Sequence, residues 1–274
     1  MKQTREDSPK QNLGTGSVGK LLAQLAIPAV VAQIVNLLYN IVDRIYIGHM
    51  PEIGADALTG VGLFMPILML VNAFAMMAGA GGAPRAAIAM GQGDHDRAEK
   101  IMGNAFSLLL IFSIVMMTIC YLFCRPILYL FGASDVSYVY AEAYLKIYLI
   151  GTPFTMLTTG LNGFINAQGF PKVGMLTTVI GALLNLILDP VFIFAFDMGV
   201  SGAALATVLS QLVSAIWVLR FLTGKKAILH LRGKNFWPDL KLAKEIMTLG
   251  TPGFIMQGTN CLVQVVCNAT LQNW

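Results

Sequence analysis

The sequence predicts an all-α integral membrane protein: a six-helix transmembrane bundle followed by a seventh helix. Three observations carry this reading. Hydrophobic residues fill 56% of the 274 positions and charged residues only 12%, where a soluble domain carries about 25% charged. Mean hydropathy is +0.70. Seven apolar segments recur along the chain, several of them reaching the ~20 residues that a helix needs to cross a bilayer.

The segments run roughly over Leu21–Ile47, Leu58–Met90, Ile101–Phe123, Ala143–Ile165, Val173–Phe196, Gly202–Leu222 and from Ile246 to the end. The second is long for one straight span, and its tail GAGGAPRAAIAMGQG is expected to emerge into the headgroup zone around Arg85. Residues 1–20 are polar and of mixed charge, with no pattern of a cleaved signal peptide.

Basic residues set the expected orientation. With the N-terminus in the cytoplasm, fifteen of the eighteen lysines and arginines fall on the inner side, leaving only Arg44, Arg125 and Lys146 near the outer one. The opposite topology reverses the bias. The implied location is the inner or plasma membrane, crossed many times. The stretch 223–245 is a basic linker with Trp237 and Pro238, expected along the inner membrane surface. The net charge of +4 is explained by this placement and gives no reason to expect nucleic acid as a partner.

An internal repeat organises the chain. KLLAQLAIPAVVAQIVNLLYN, from Lys20, and KEIMTLGTPGFIMQGTNCLVQ, from Lys244, align at an offset of 224. They share Lys20/Lys244, Leu25/Leu249, Pro28/Pro252, Gln33/Gln257 and Asn36/Asn260, and Asn40 meets Gln264. The copies are the first and seventh segments, six apart, so both run in one direction. That is the pattern of a transporter made of two parallel six-helix halves. The chain then divides into an N-terminal segment (1–20), a first lobe (21–222), the linker (223–245) and the first helix of a second lobe (246–274). It is expected to be part of a longer product of roughly 450 residues with twelve spans.

Polar residues inside spans carry functional information. In the first segment Gln33, Asn36, Asn40 and Asp43 are spaced three, four and three, which places them within an ~80° arc of a helix. The fifth segment puts Asn185 and Asp189 four apart on one face. The sixth offers Thr207, Ser210 and Ser214, and the fourth contributes Tyr144 near its outer end. A carboxylate in a water-poor pocket prefers a proton or a bound cation. Asn and Thr oxygens can complete an oxygen shell, so Asp43, Asn185, Asp189 and Thr207 form a candidate H⁺ or Na⁺ site. Two plainer readings stay open: Asp43 paired with the adjacent Arg44, and Asp189 anchoring the end of its helix before Pro190. Pro28 lies on the helix of the first acid and recurs in the repeat, which makes it a candidate bending point. A substrate path would use Gln33, Asn36 and Asn40 with Met65, Met69 and Asn72 of the second segment, where methionine adapts to varied apolar ligands.

Other motifs carry no chemistry. GTGSVGK (14–20) lacks both the preceding strand and the Ser or Thr of a phosphate loop. Cys120, Cys124, Cys261 and Cys267 lie in apolar stretches as free thiols, and His49, His95 and His230 share no metal spacing. No enzyme constellation and no cofactor beyond the coupling ion is expected.

Four segments resemble the multidrug and toxic compound extrusion (MATE) family: LAIPAVVAQIVNLLYNIVDRIYIG (25–48), MGQGDHDRAEKIMGNA (90–105), NGFINAQGFPKVGM (162–175) and LLNLILDPVFIFAFDMGVSGAALATVLSQ (183–211). The resemblance covers almost the whole chain. It implies a first lobe plus the start of a second, a V-shaped central cleft, and exchange of cationic or amphipathic drugs for protons or sodium. It also implies a cation site on Asp43, Asn185, Asp189, Thr207 and Tyr144, and a bend at Pro28. The rest of the second lobe would be the missing partner, and the lipid bilayer the surroundings. Two alternatives remain: a lipid-linked oligosaccharide flippase of the same superfamily, which would favour basic residues in its cavity, and a membrane fragment that transports nothing by itself.

Overall fold

The computed structural model describes residues 18–50 and 53–272, so most of the predicted N-terminal segment lies outside the described residues. Among the described residues eight α-helices follow one another: α1 (Val18–Gly48), α2 (Gly54–Gly91), α3 (His95–Leu122), α4 (Cys124–Leu130), α5 (Asp135–Ala167), α6 (Pro171–Pro190), α7 (Gly199–Thr223) and α8 (Leu240–Gln272). A π-helical turn, Val191–Ala195, continues α6, and a 3₁₀ turn, Gly233–Asn235, interrupts the α7–α8 connection. No strand occurs among the described residues.

Every predicted apolar segment is a helix, and the protein is an all-α membrane bundle. α1, α2, α3, α6 with its π turn, and α7 are each long and apolar enough to cross a membrane. α5 and α8, of 33 residues each, are not among these. Tyr, Thr, Asn and Gln side chains dilute their apolar character. α2 is one continuous helix of 38 residues despite Pro66 and Pro84, and α1 runs unbroken through a buried Pro28.

Local chemistry sets the ends. Asp94 caps α3, accepting from the Arg97 N–H at 3.0 Å, after Gly93 takes a positive φ of 80° that closes the turn from α2. Ser134 and Ser137 form a reciprocal capping box at the start of α5. Pro171 opens α6, where a missing N–H costs nothing. At the other end of α6, Pro190 has no N–H for the preceding turn, and the chain widens into the π turn directly after Asp189.

α2 and α5 form the centre. Their backbones meet where Gly79 lies on Gly160; a Cβ at Gly79 would stand 2.6 Å from the Gly160 carbonyl oxygen. α5 also packs on α7 and α3, and α1 lies mainly on α6. Most of α1 remains uncovered, including Ile27, Ile34, Leu37 and Leu38. α8 runs antiparallel along α2. Gly250 lies against the Met77 backbone, Phe254 meets Phe74 at 5.0 Å between ring centroids, and Cys261 approaches the Pro66 carbonyl at 3.3 Å. Arg85 closes this seam with an ion pair to Glu245.

The 223–245 stretch is helical at its end and mostly irregular before it. α8 begins at Leu240 and is capped by Asp239, which accepts from the Lys241 N–H at 2.8 Å. The preceding residues form a strap docked on α3 and α5. Gln168 Oε1 accepts from the Ile228 and Leu229 N–H groups, both at 2.8 Å. Glu99 accepts from the His230 N–H at 3.1 Å and pairs with Arg232 at 3.2 Å. Asn104 accepts from the Asp239 N–H at 2.6 Å, and Phe236 stacks on Phe106. Trp237, 87% exposed, and the linker lysines point away from the bundle. This strap, the α2–α3 turn and the start of α6 gather the basic residues at one end of the bundle, called the basic end below.

Candidate functional site

α1, α2, α5, α6 and α7 enclose a cavity of about 310 Å³. Asp43 and Asn185, one turn from Asp189, stand at its wall away from the basic end, and Asp43 and Asp189 are neighbours across the α1–α6 seam. Asp189 is 1% and Asn185 3% exposed. The Asn185 amide donates to Asp189 Oδ1 at 3.1 Å and approaches Thr207 Oγ1 at 3.4 Å, while Thr207 donates to the Ala203 carbonyl at 3.0 Å. Tyr144, buried at 4% exposure, lines the same cavity as Thr207. The five predicted cation-site residues therefore come together from four helices.

The geometry leaves oxygens without partners. Asp43 Oδ1 and Asn185 Oδ1 are buried and accept no hydrogen bond from the protein. Two neighbouring carboxylates cannot donate to each other while both are ionised. A proton shared between them, or a cation bound by both, resolves the repulsion. No ion pair joins Asp43 to Arg44 among the described residues, and Arg44 is exposed.

Of the predicted path residues, Asn36, Asn40, Met65 and Asn72 line the cavity; Gln33 is exposed on α1 and Met69 lies outside the lining. Asn40 donates to the Asn36 carbonyl at 2.7 Å, so part of the α1 stripe satisfies itself. Sequence reasoning missed Tyr39, Tyr148, Thr155 and Asn162, all in the lining. The signal was present for α5: Tyr144, Tyr148, Thr155, Thr159 and Asn162 recur at helical spacing, a second polar stripe in an apolar segment. No lysine or arginine lines this cavity.

A family model described as MatE matches residues 28–191, more than half of the chain. The chain belongs to the MatE family. The match runs from Pro28 through the whole carboxyl site of α1 and α6. Among curated relatives, the multidrug export protein MepA of Staphylococcus haemolyticus is 26% identical over 261 residues, which span 94% of this chain and 57% of that protein. MepA of Staphylococcus saprophyticus is 25% identical over 260 residues. Among solved structures, an outward-facing multidrug resistance MATE family transporter of the MOP superfamily aligns with a TM-score of 0.81 at 28% identity, over 88% of this chain and 53% of that one. A MATE in complex with MaD3S aligns equally well, covering 54% of that chain. The chain thus spans about half the length of the relatives it matches.

Proposed function

We propose that this chain is the first lobe, with the opening helix of the second, of a multidrug efflux transporter that exchanges cationic or amphipathic compounds for H⁺ or Na⁺. The observation that carries it is the pair of half-buried Asp43 and buried Asp189 at the wall of a membrane cavity, with unpartnered Asp43 and Asn185 oxygens beside it. MatE membership and the MepA relatives support the substrate class. The absence of basic residues from the cavity lining argues against an anionic lipid-linked glycan.

Coupling follows from the site's chemistry. A cation or proton neutralises the carboxyl pair and draws α1 onto α6; its release restores repulsion and favours separation. α1 is suited to respond, being largely uncovered and carrying Pro28. The basic end faces the cytoplasm, as the distribution of lysine and arginine favours, in the plasma membrane.

The test is efflux of a cationic dye from vesicles holding the chain extended by its second lobe, with pH and sodium gradients imposed separately. One or both gradients should drive efflux, and Asp189→Asn should abolish it at unchanged membrane insertion. Efflux by Asp189→Asn equal to that of the unsubstituted transporter under both gradients overturns the proposal. Running the 274-residue chain alone in parallel separates a self-sufficient transporter from a lobe that needs its partner.

A further inference from the structure

The carboxyl pair occupies only one end of the cavity. We infer that the other end is a second cation station, built from uncharged oxygens of α5, α6 and α7, that takes a monovalent metal ion such as Na⁺. This rests on the ion-coupled reading above and extends it from a site to a path.

Position comes first. On α6, Thr177 lies two turns nearer the basic end than Asn185, and on α7 Ser214 lies two turns nearer than Thr207. At 1.5 Å per residue, these two stand about 10–12 Å below Asn185 and Thr207, and Thr177 about 18 Å below Asp189. Thr158 and Asn162 of α5 line the same part of the cavity, with Ser210 and Ser214.

This chamber is rich in acceptors. Ser214 donates to the Thr177 carbonyl at 3.3 Å, and Thr177 to the Val173 carbonyl at 3.1 Å. Thr158 donates to the Gln211 carbonyl at 3.5 Å, and the Asn162 amide to the Gly174 carbonyl at 3.2 Å. The three hydroxyl hydrogens, and one of the two Asn162 amide hydrogens, are therefore engaged with backbone. What the three hydroxyls still offer a ligand is oxygen lone pairs. Ser210, 2% exposed, has a buried hydroxyl without a partner, and Asn162 Oδ1 is likewise buried and unpartnered. Buried polar atoms are rarely left so without an occupant.

Two glycines let these side chains come close to α6: a Cβ at Gly181 would stand 2.6 Å from Ser214 Oγ, and one at Gly174 would meet Asn166 Oδ1 and stand 2.9 Å from Asn162 Oδ1. No charged side chain lines this end. A neutral, acceptor-rich chamber rejects anions and suits a hard monovalent cation that exchanges water for protein oxygens. Because the ligands are uncharged, they hold the ion less tightly than the carboxyl pair does, as a stopover requires. An ion leaving Asp43 and Asp189 could then pass between α5, α6 and α7 toward the basic end, apart from the open face of α1.

Anomalous diffraction from crystals of the intact transporter, with Tl⁺ in place of Na⁺, tests this. Two peaks are expected: one at Asp43 and Asp189, the other among Asn162, Thr177, Ser210 and Ser214. Ser210→Ala should weaken or remove only the second, and Asp43→Asn only the first, with melting temperatures confirming that both variants fold. A second peak without a first would support the station and overturn the assignment of the carboxyl pair. A peak at the carboxyl pair alone, ordered water or drug density in the chamber that Tl⁺ leaves unchanged, or no peak at either place would overturn the station.

Discussion

α1 and α8 are two copies of one sequence pattern in different surroundings. In α1 the repeat's amides lead to Asp43, and Asn36, Asn40 and Asp43 border the cavity. In α8 the corresponding amides bond along their own helix: Asn260 to Gln257 at 3.4 Å and Gln264 to Asn268 at 3.1 Å. Where α1 has Asp43, α8 has an exposed Cys267. α1 is loosely covered, whereas α8 is set against α2 through Gly250 and the Arg85–Glu245 pair. The repeat therefore carries the architecture, and the acid with its open neighbourhood carries the chemistry.

The largest expected effect removes the partner of that acid. Asp189→Asn leaves Asp43 without its titratable counterpart, and ion-driven dye efflux should fall to background while the protein still inserts. Retained efflux would mean that the first copy is not distinguished by its carboxyl pair.

The next effects concern α8 as the fixed copy. Gly250→Ala drives a Cβ into the Met77 carbonyl oxygen, an overpacking that should cost about 1–3 kcal/mol and lower the melting temperature in detergent. Gly253→Ala, three residues on, meets nothing within 4 Å and should be neutral or slightly stabilising. Equal melting temperatures for the two would contradict a tight α2–α8 seam. Gln168→Ala leaves the Ile228 and Leu229 N–H groups without their acceptor, at a cost of about 1–3 kcal/mol if they stay buried. Faster proteolysis of the strap ahead of α8 is the expected readout, with unchanged cleavage as the contrary one.

The α1 stripe was legible because amides and an acid at three- and four-residue spacing stand out against an apolar background. Asn185, Asp189 and Thr207 were legible for the same reason. Ser210 and Ser214 were read as one face with Thr207, but the threonines facing them, Thr155, Thr158 and Thr177, were not. A Thr or Ser in a helix can satisfy itself on its own preceding turn, as Thr118, Thr223 and Thr248 do away from the cavity. Its presence in a span therefore does not announce a cavity. The strap was hidden for another reason: Gln168, Glu99 and Asn104 hold it largely through backbone N–H groups, which every sequence but proline offers. α4 was missed as a helix of only 7 residues. The orphaned oxygens of Ser210 and Asn162 emerge only when three helices are brought together.

The smallest expected effect is on bending. Pro28→Ala restores a backbone donor in the loosely covered copy and should reduce efflux partially. Pro252→Ala in the packed copy and Pro66→Ala in α2 should change it less. Equal losses, at matched expression, would remove Pro28 as a bending point.

The most direct measurement exchanges the residue at which the copies diverge. Ion-driven efflux by Asp43→Asn and Cys267→Ser is compared in the intact transporter at equal expression. The expected result is background efflux for Asp43→Asn and undiminished efflux for Cys267→Ser. Undiminished efflux by Asp43→Asn, or equal loss in both variants, would contradict the claim that coupling resides in the acid of the first copy.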